Sequence, residues 1–202
     1  MIYELFLLGS YFSLGALTKI VDQVFDAKLV RHAYAYLAAA CIIFLAGYWI
    51  ATDTYSQPIL LAIVFAMLIS GKVDNMAFWS IAISLITVAI LLAVLGIIEI
   101  QWFSLWFLIL TAVIDEFAND LADSRKRSSK AIKFFYYRPF MKIGVLMLAV
   151  WGYLSIVYLA AFVLFDMAYV IIGKVQKHYH IEGIRGLYIK PIKRDYDHRH
   201  KL

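Results

Sequence analysis

Apolar residues run along this chain in long blocks, separated by short polar breaks. The blocks cover residues 2–21, 29–51, 58–71, 77–97, 102–117 and 140–164. Several approach the ~20 residues that a helix needs to cross a bilayer. Runs such as "LITVAILLAVLGII" (85–98) lack the strict alternation of a barrel strand, so the spanning elements are read as helices. A helix also satisfies its own backbone in lipid, where no water can do so. The pattern therefore predicts an all-α, polytopic transmembrane helical bundle with six or seven spans. The third and fifth blocks are short, which calls for extension, tilt or partial insertion.

The count turns on residues 143–173, which are apolar except for Asp166. They form either one span followed by an interfacial helix, or two short spans joined by a tight hairpin. No Gly-Pro or Asn-Gly signal marks such a hairpin. Charge favours seven spans, because residues 174–202 carry eight Lys or Arg. Two regions are expected: a transmembrane domain over 1–173 and a basic tail over 174–202.

Lys and Arg also set the orientation. Lys28 and Arg31 follow the first block, Lys72 follows the third, and Arg125 to Arg138 follow the fifth. The breaks after the second and fourth blocks hold Asp53 and Glu99 and no base. This places the N-terminus outside and the ends of the odd spans in the cytoplasm. The opening "MIYELFLLGS" has no basic n-region and carries Glu4, so it is read as a retained first span.

Composition agrees with the blocks. Hydrophobic residues make up 64% of 202 and charged ones 16%, with mean hydropathy +0.80. A soluble domain carries roughly 25% charged residues. The single Cys41 cannot form an internal disulfide. Walker A, dinucleotide-binding and zinc-protease patterns do not occur, which argues against an ATP-driven function for this chain. No nucleic-acid partner is expected.

The acids are distributed unevenly. Seven of fourteen sit at the ends of the odd spans. "TKIVDQVFD" (18–26), "SGKVDNMAF" (70–78) and "TAVIDEFAN" (111–119) share Ser/Thr, two residues, Val/Ile, Asp, then Gln, Asn or Glu. This suggests three related helical hairpins, with Asp22, Asp74 and Asp115 at matching places. A hydroxyl four residues before an Asp shares its helical face. Asp26 and Asn119 extend two of these stripes. An Asp near a helix C-terminus faces the negative end of the dipole and calls for a cation. Lys19, Lys28 and Lys72 are near, and a divalent metal such as Mg²⁺ takes oxygen ligands of this kind.

After the fifth block, Asn119, Asp120 and Asp123 form an N-D-x-x-D element, followed by Arg125, Arg127 and Arg138. Residues 119–139 resemble the aspartate-rich motif of UbiA-type intramembrane prenyltransferases. That resemblance implies carboxylates holding Mg²⁺ and a prenyl diphosphate, with Arg138 and Pro139 matching an Arg-Pro pair. The pattern departs where Arg127 replaces a further Asp.

Three functions follow as expectations. The first is an enzyme acting on a lipid or isoprenoid phosphate. Its candidate metal ligands are Asp22, Asp26, Asp74, Asp115, Asn119, Asp120 and Asp123; its phosphate contacts are Arg125, Arg127 and Arg138. The second is a cation or small-solute transporter or channel using the same acids. The third is a non-catalytic scaffold or accessory subunit, with the basic tail on anionic lipid. Asp166 needs a partner if it lies at bilayer depth.

Overall fold

The computed structural model describes residues 1–27, 32–124 and 138–187, with side chains over 1–25, 33–121 and 138–175. Everything regular in them is helix. The elements are α1 (Ile2–Ala27), α2 (His32–Thr52), α3 (Ser56–Ile69), α4 (Met76–Val94), α5 (Trp102–Ser124), α6 (Pro139–Val150) and α7 (Ile156–Leu187). Helices α1, α2, α4, α5 and α7 are long and apolar enough to cross a membrane. This is the architecture of a multi-pass membrane protein.

The helices run up and down, so their ends gather into two layers. One layer is aromatic. Tyr3 meets Trp49 edge-on at 5.6 Å, Tyr55 lies against Tyr158, and Phe103 lies against Trp151 and Tyr153. The opposite layer is charged and is described below. Amphipathic rings favour the membrane–water boundary, which accounts for the first layer.

Helix α3 forms the centre of the bundle. Nine of its fourteen residues are buried, and it packs on α5, α2 and α4. At 1.5 Å per residue it is about 21 Å long, and α6, with twelve residues, about 18 Å. Neither length alone covers the ~30 Å hydrocarbon layer. Charged residues flank both at the same end: Lys72 follows α3 and Arg138 precedes α6.

The block read as 140–164 is divided. Helix α6 ends in a Schellman turn at Trp151–Ser155, with Tyr153 N–H donating to the Leu148 carbonyl and Gly152 N–H to that of Ala149. Gly152 has φ +80°, a left-handed conformation that glycine adopts without a Cβ penalty. This glycine is the hairpin signal; a search for Gly-Pro or Asn-Gly passes over it. Helix α7 then runs from the aromatic end to the charged end and continues through 174 to Leu187. The helix thus crosses the boundary expected between domain and tail.

Among the described residues, α1 packs more extensively on α7 than any other two helices pack on each other. Gly15 makes it possible: a Cβ there would stand 2.0 Å from the Phe165 carbonyl oxygen. Small residues let backbones approach in this way in membrane bundles. Gly15→Ala is expected to destabilise the protein by about 1–3 kcal/mol, the range for overpacking. Gly9→Ala has nothing within 4 Å of the added carbon and should be neutral or stabilising. Thermal unfolding of the two variants in the same detergent checks the contrast.

Candidate functional site

The charged end is built on two consecutive acids of α5. Asp115 is 1% exposed and points to the start of α6. It accepts hydrogen bonds from Phe140 N–H at 3.0 Å and Met141 N–H at 2.6 Å. Pro139 occupies the first position of α6, where its missing N–H is harmless. Asp115 therefore caps a helix twenty-five residues downstream, where its negative charge meets the positive end of the dipole.

Glu116, 4% exposed, faces the other way. It pairs with Lys72 at 2.5 Å and with Arg138 at 2.9 Å. Lys72 also reaches Asp120 at 2.9 Å. Burial works against the charge of Lys72, but hydrogen bonds to Glu116 and Asp120 outweigh it and raise its pKa. For Arg138, burial is likewise opposed by the nearby charge of Glu116, and the balance is again upward.

Arg138 has φ 46° and ψ 61°, the left-handed region. For a residue other than glycine this stores about 1–3 kcal/mol, held only where the surroundings fix it. Here Glu116 holds the guanidinium, which also lies 5.2 Å from the Tyr169 ring centre. Lys19 lies over the same ring at 4.6 Å. The Tyr169 hydroxyl donates to Asp22 at 3.0 Å, and Lys19 pairs with Asp22 one turn away. Asp166 pairs with Lys142 in the first turn of α6. The network thus links α1, α5, α6, α7 and the α3–α4 turn.

The three similar stretches take three different places. Asp22 and Asp115 lie within helices that continue beyond them, whereas Asp74 is exposed in the turn after α3. The side chain of Asn75 donates to Asp74 at 3.0 Å and also caps α4 by accepting from Phe78 N–H. The hydroxyls Thr18, Ser70 and Thr111 all donate back to carbonyls of their own helices.

Among the described residues, no group of three or more His, Cys, Asp or Glu is arranged to hold a metal ion. Asp22, Asp74 and Asp115 are not brought together in that way. Asn119 is half-buried and Asp120 exposed. The side chains of Asp26 and Asp123 lie outside the described residues, as do Arg125 and Arg127 entirely. Tyr169 and Lys142 were not singled out from the sequence. Lys142 had a signal in Asp166, a lone acid in an apolar block that needed a partner.

A cleft opens within the bundle beside this network. It is half-open, has room for about 40 Å³, and is lined by α1, α2, α3, α4 and α7 through residues that include Leu14, Thr18, Ala46, Leu60, Met67 and Phe78. Its walls are almost wholly apolar. Thr18 precedes Lys19 in α1, and Met67 lies at the α3 end whose carbonyl accepts from Lys72 N–H. Comparison with protein-family models, curated proteins and solved structures finds no match to this chain.

Glu116→Gln takes the paired anion from Arg138 and leaves Lys72 with Asp120 alone, and is expected to cost about 3–5 kcal/mol. The pairing of Lys72 raises its folded pKa above its ordinary 10.5. Its contribution is therefore complete below that value and lost as pH rises through the raised one. Alkaline unfolding curves should show this loss in the native sequence and a smaller one in Glu116→Gln, where Asp120 still pairs with Lys72.

Proposed function

We propose that the protein binds a lipid phosphate, with the apolar chain in the cleft and the phosphate at the charged end. The observation that carries this reading is the apolar cleft whose residues adjoin those bearing Lys19 and Lys72. Ligand clefts are commonly apolar with few polar groups, and this one has such walls, open on one side for an acyl or isoprenoid chain to enter. The chemical class is a long-chain acyl or isoprenoid phosphate.

Orientation follows from the basic residues. The turns at 53–55, 95–101 and 151–155 hold no Lys or Arg, so the aromatic end faces outside and the charged end the cytoplasm. The N-terminus is then outside, and α3 and α6 complete seven crossings as short spans. The basic tail follows α7 on the cytoplasmic side.

The charged end is neutralised internally, so a phosphate enters by exchange. Lys19 and Arg138 turn from Asp22 and Glu116 to the phosphate oxygens, and Arg125 and Arg127 add to them. Arg is suited to this by its fork of donors. Glu116, once released, and Asp120, which meet at the Lys72 ammonium, then hold a divalent cation against the same phosphate. Lipid phosphate and Mg²⁺ therefore bind more tightly together than apart.

The test uses the protein in nanodiscs of neutral phospholipid, titrated with an isoprenoid phosphate and with the matching alcohol. The phosphate should bind more tightly, and more so with Mg²⁺. Arg138→Gln should weaken it about ten- to hundredfold, the loss of a charged hydrogen bond. Ala46→Phe, which fills the cleft, should weaken phosphate and alcohol alike. Equal binding of phosphate and alcohol in the native protein would overturn the phosphate site. Unchanged binding in Ala46→Phe would overturn the cleft.

A further inference from the structure

The aromatic end holds a second polar constellation, independent of the lipid reading. Asp53 follows α2 and is 7% exposed. It accepts from Ser56 N–H at 3.1 Å, from Tyr55 N–H at 3.4 Å and from the Tyr158 hydroxyl at 2.9 Å. The Tyr3 hydroxyl also faces it. All these partners are dipoles. The turns of this end contain no Lys or Arg, so no basic side chain balances the buried charge. Buried charges in proteins are otherwise paired or bound to a metal ion.

Beside Asp53 stand polar atoms with no partner among the described residues. Tyr11 and Ser56 are both 0% exposed. Their hydroxyls face each other, outside hydrogen-bond geometry, and neither finds another partner. Gln57, 1% exposed, has both amide atoms unsatisfied. Native structures leave few buried polar groups in this state, and an ion is one of the recognised explanations. Trp49 Nε1 is also unsatisfied, but it is a donor and belongs to no cation's shell.

We propose that Asp53, Ser56 and Tyr11 form a site for an alkali metal cation, with Gln57 Oε1 as a further oxygen donor. The donor set is one carboxylate with neutral oxygens, the hard-ligand chemistry such ions take. A single carboxylate balances one positive charge, which suits Na⁺ or K⁺; a divalent ion would leave a net charge buried. Water alone would satisfy the hydroxyls and leave only neutral donors and the start of α3 to offset the carboxylate charge. The site lies at the first turn of α3, so its occupant secures the central helix at its outer end.

The test measures thermal unfolding of the full chain in nanodiscs as Na⁺ or K⁺ replaces choline at constant ionic strength. The unfolding midpoint should rise with the alkali ion and saturate. Asp53→Asn keeps a good helix cap and should abolish the rise. Tyr11→Phe and Ser56→Ala should each raise the half-saturating concentration about tenfold, as expected for one weakened ligand. Where Asp53→Asn does not accumulate, binding of radioactive sodium to the native protein and Tyr11→Phe gives the same comparison. The proposal is overturned if alkali ions act no differently from choline on the native protein. It is also overturned if Asp53→Asn responds as the native protein does. A Tyr11→Phe variant that is more stable with no change in ion response would show a dry, unused hydroxyl.

Discussion

Two neighbouring acids in α5 hold the charged end of this bundle together. Asp115 receives the free N–H groups of α6, and Glu116 joins Lys72 to Arg138. Adjacent residues on a helix point about a quarter-turn apart or more, so one pair of acids serves two neighbours. Helices α3 and α6 are each shorter than the hydrocarbon layer, and both are anchored to α5 where they fall short. In lipid, an unsatisfied helix end costs several kcal/mol per group. The Asp115 cap answers that need at α6, while Gly71, with φ +71°, closes α3 by turning the chain back so that Lys72 N–H meets the Met67 carbonyl.

This arrangement sorts the polar groups of the molecule by type. The charged end contains pairs of opposite sign, spread over five segments. The aromatic end contains tyrosines, tryptophans, the exposed pair of the N-terminus with Glu4, and one buried carboxylate, Asp53, with no Lys or Arg beside it. The middle is apolar, and the cleft runs through it toward the charged end. A lipid chain and a small cation would thus approach different layers, each with donors suited to it.

Much of the fold could be read in the sequence, because the apolar blocks are set by the membrane and not by particular neighbours. The first five blocks each overlap one helix, α1 to α5, with α1 and α5 running on past them, and the last block holds α6 and the start of α7. The division of the last block was favoured by charge, but its place was not legible, because a lone Gly152 among aromatic residues carries little turn signal on its own. The charged end was legible only as a concentration of acids. Which charge meets which depends on contacts across long stretches of chain, such as Lys72 with Glu116 and Tyr169 with Asp22. The likeness of the stretches at 18, 70 and 111 hid a difference in setting: two of the Asp residues lie in helices and one in a turn. An Asp that caps a distant helix looks, in sequence, the same as one that could bind a metal.

The contact between Gly15 and Phe165 bears on how the chain is made. The first helix finds its main partner only after the last has left the ribosome, some 150 residues later. At about 5–20 residues per second that interval is on the order of ten seconds. Through it, α1 waits in the bilayer with Lys19 and Asp22 able to satisfy only each other. Chains halted before α7 would keep the Gly15 face of α1 uncovered by its main partner.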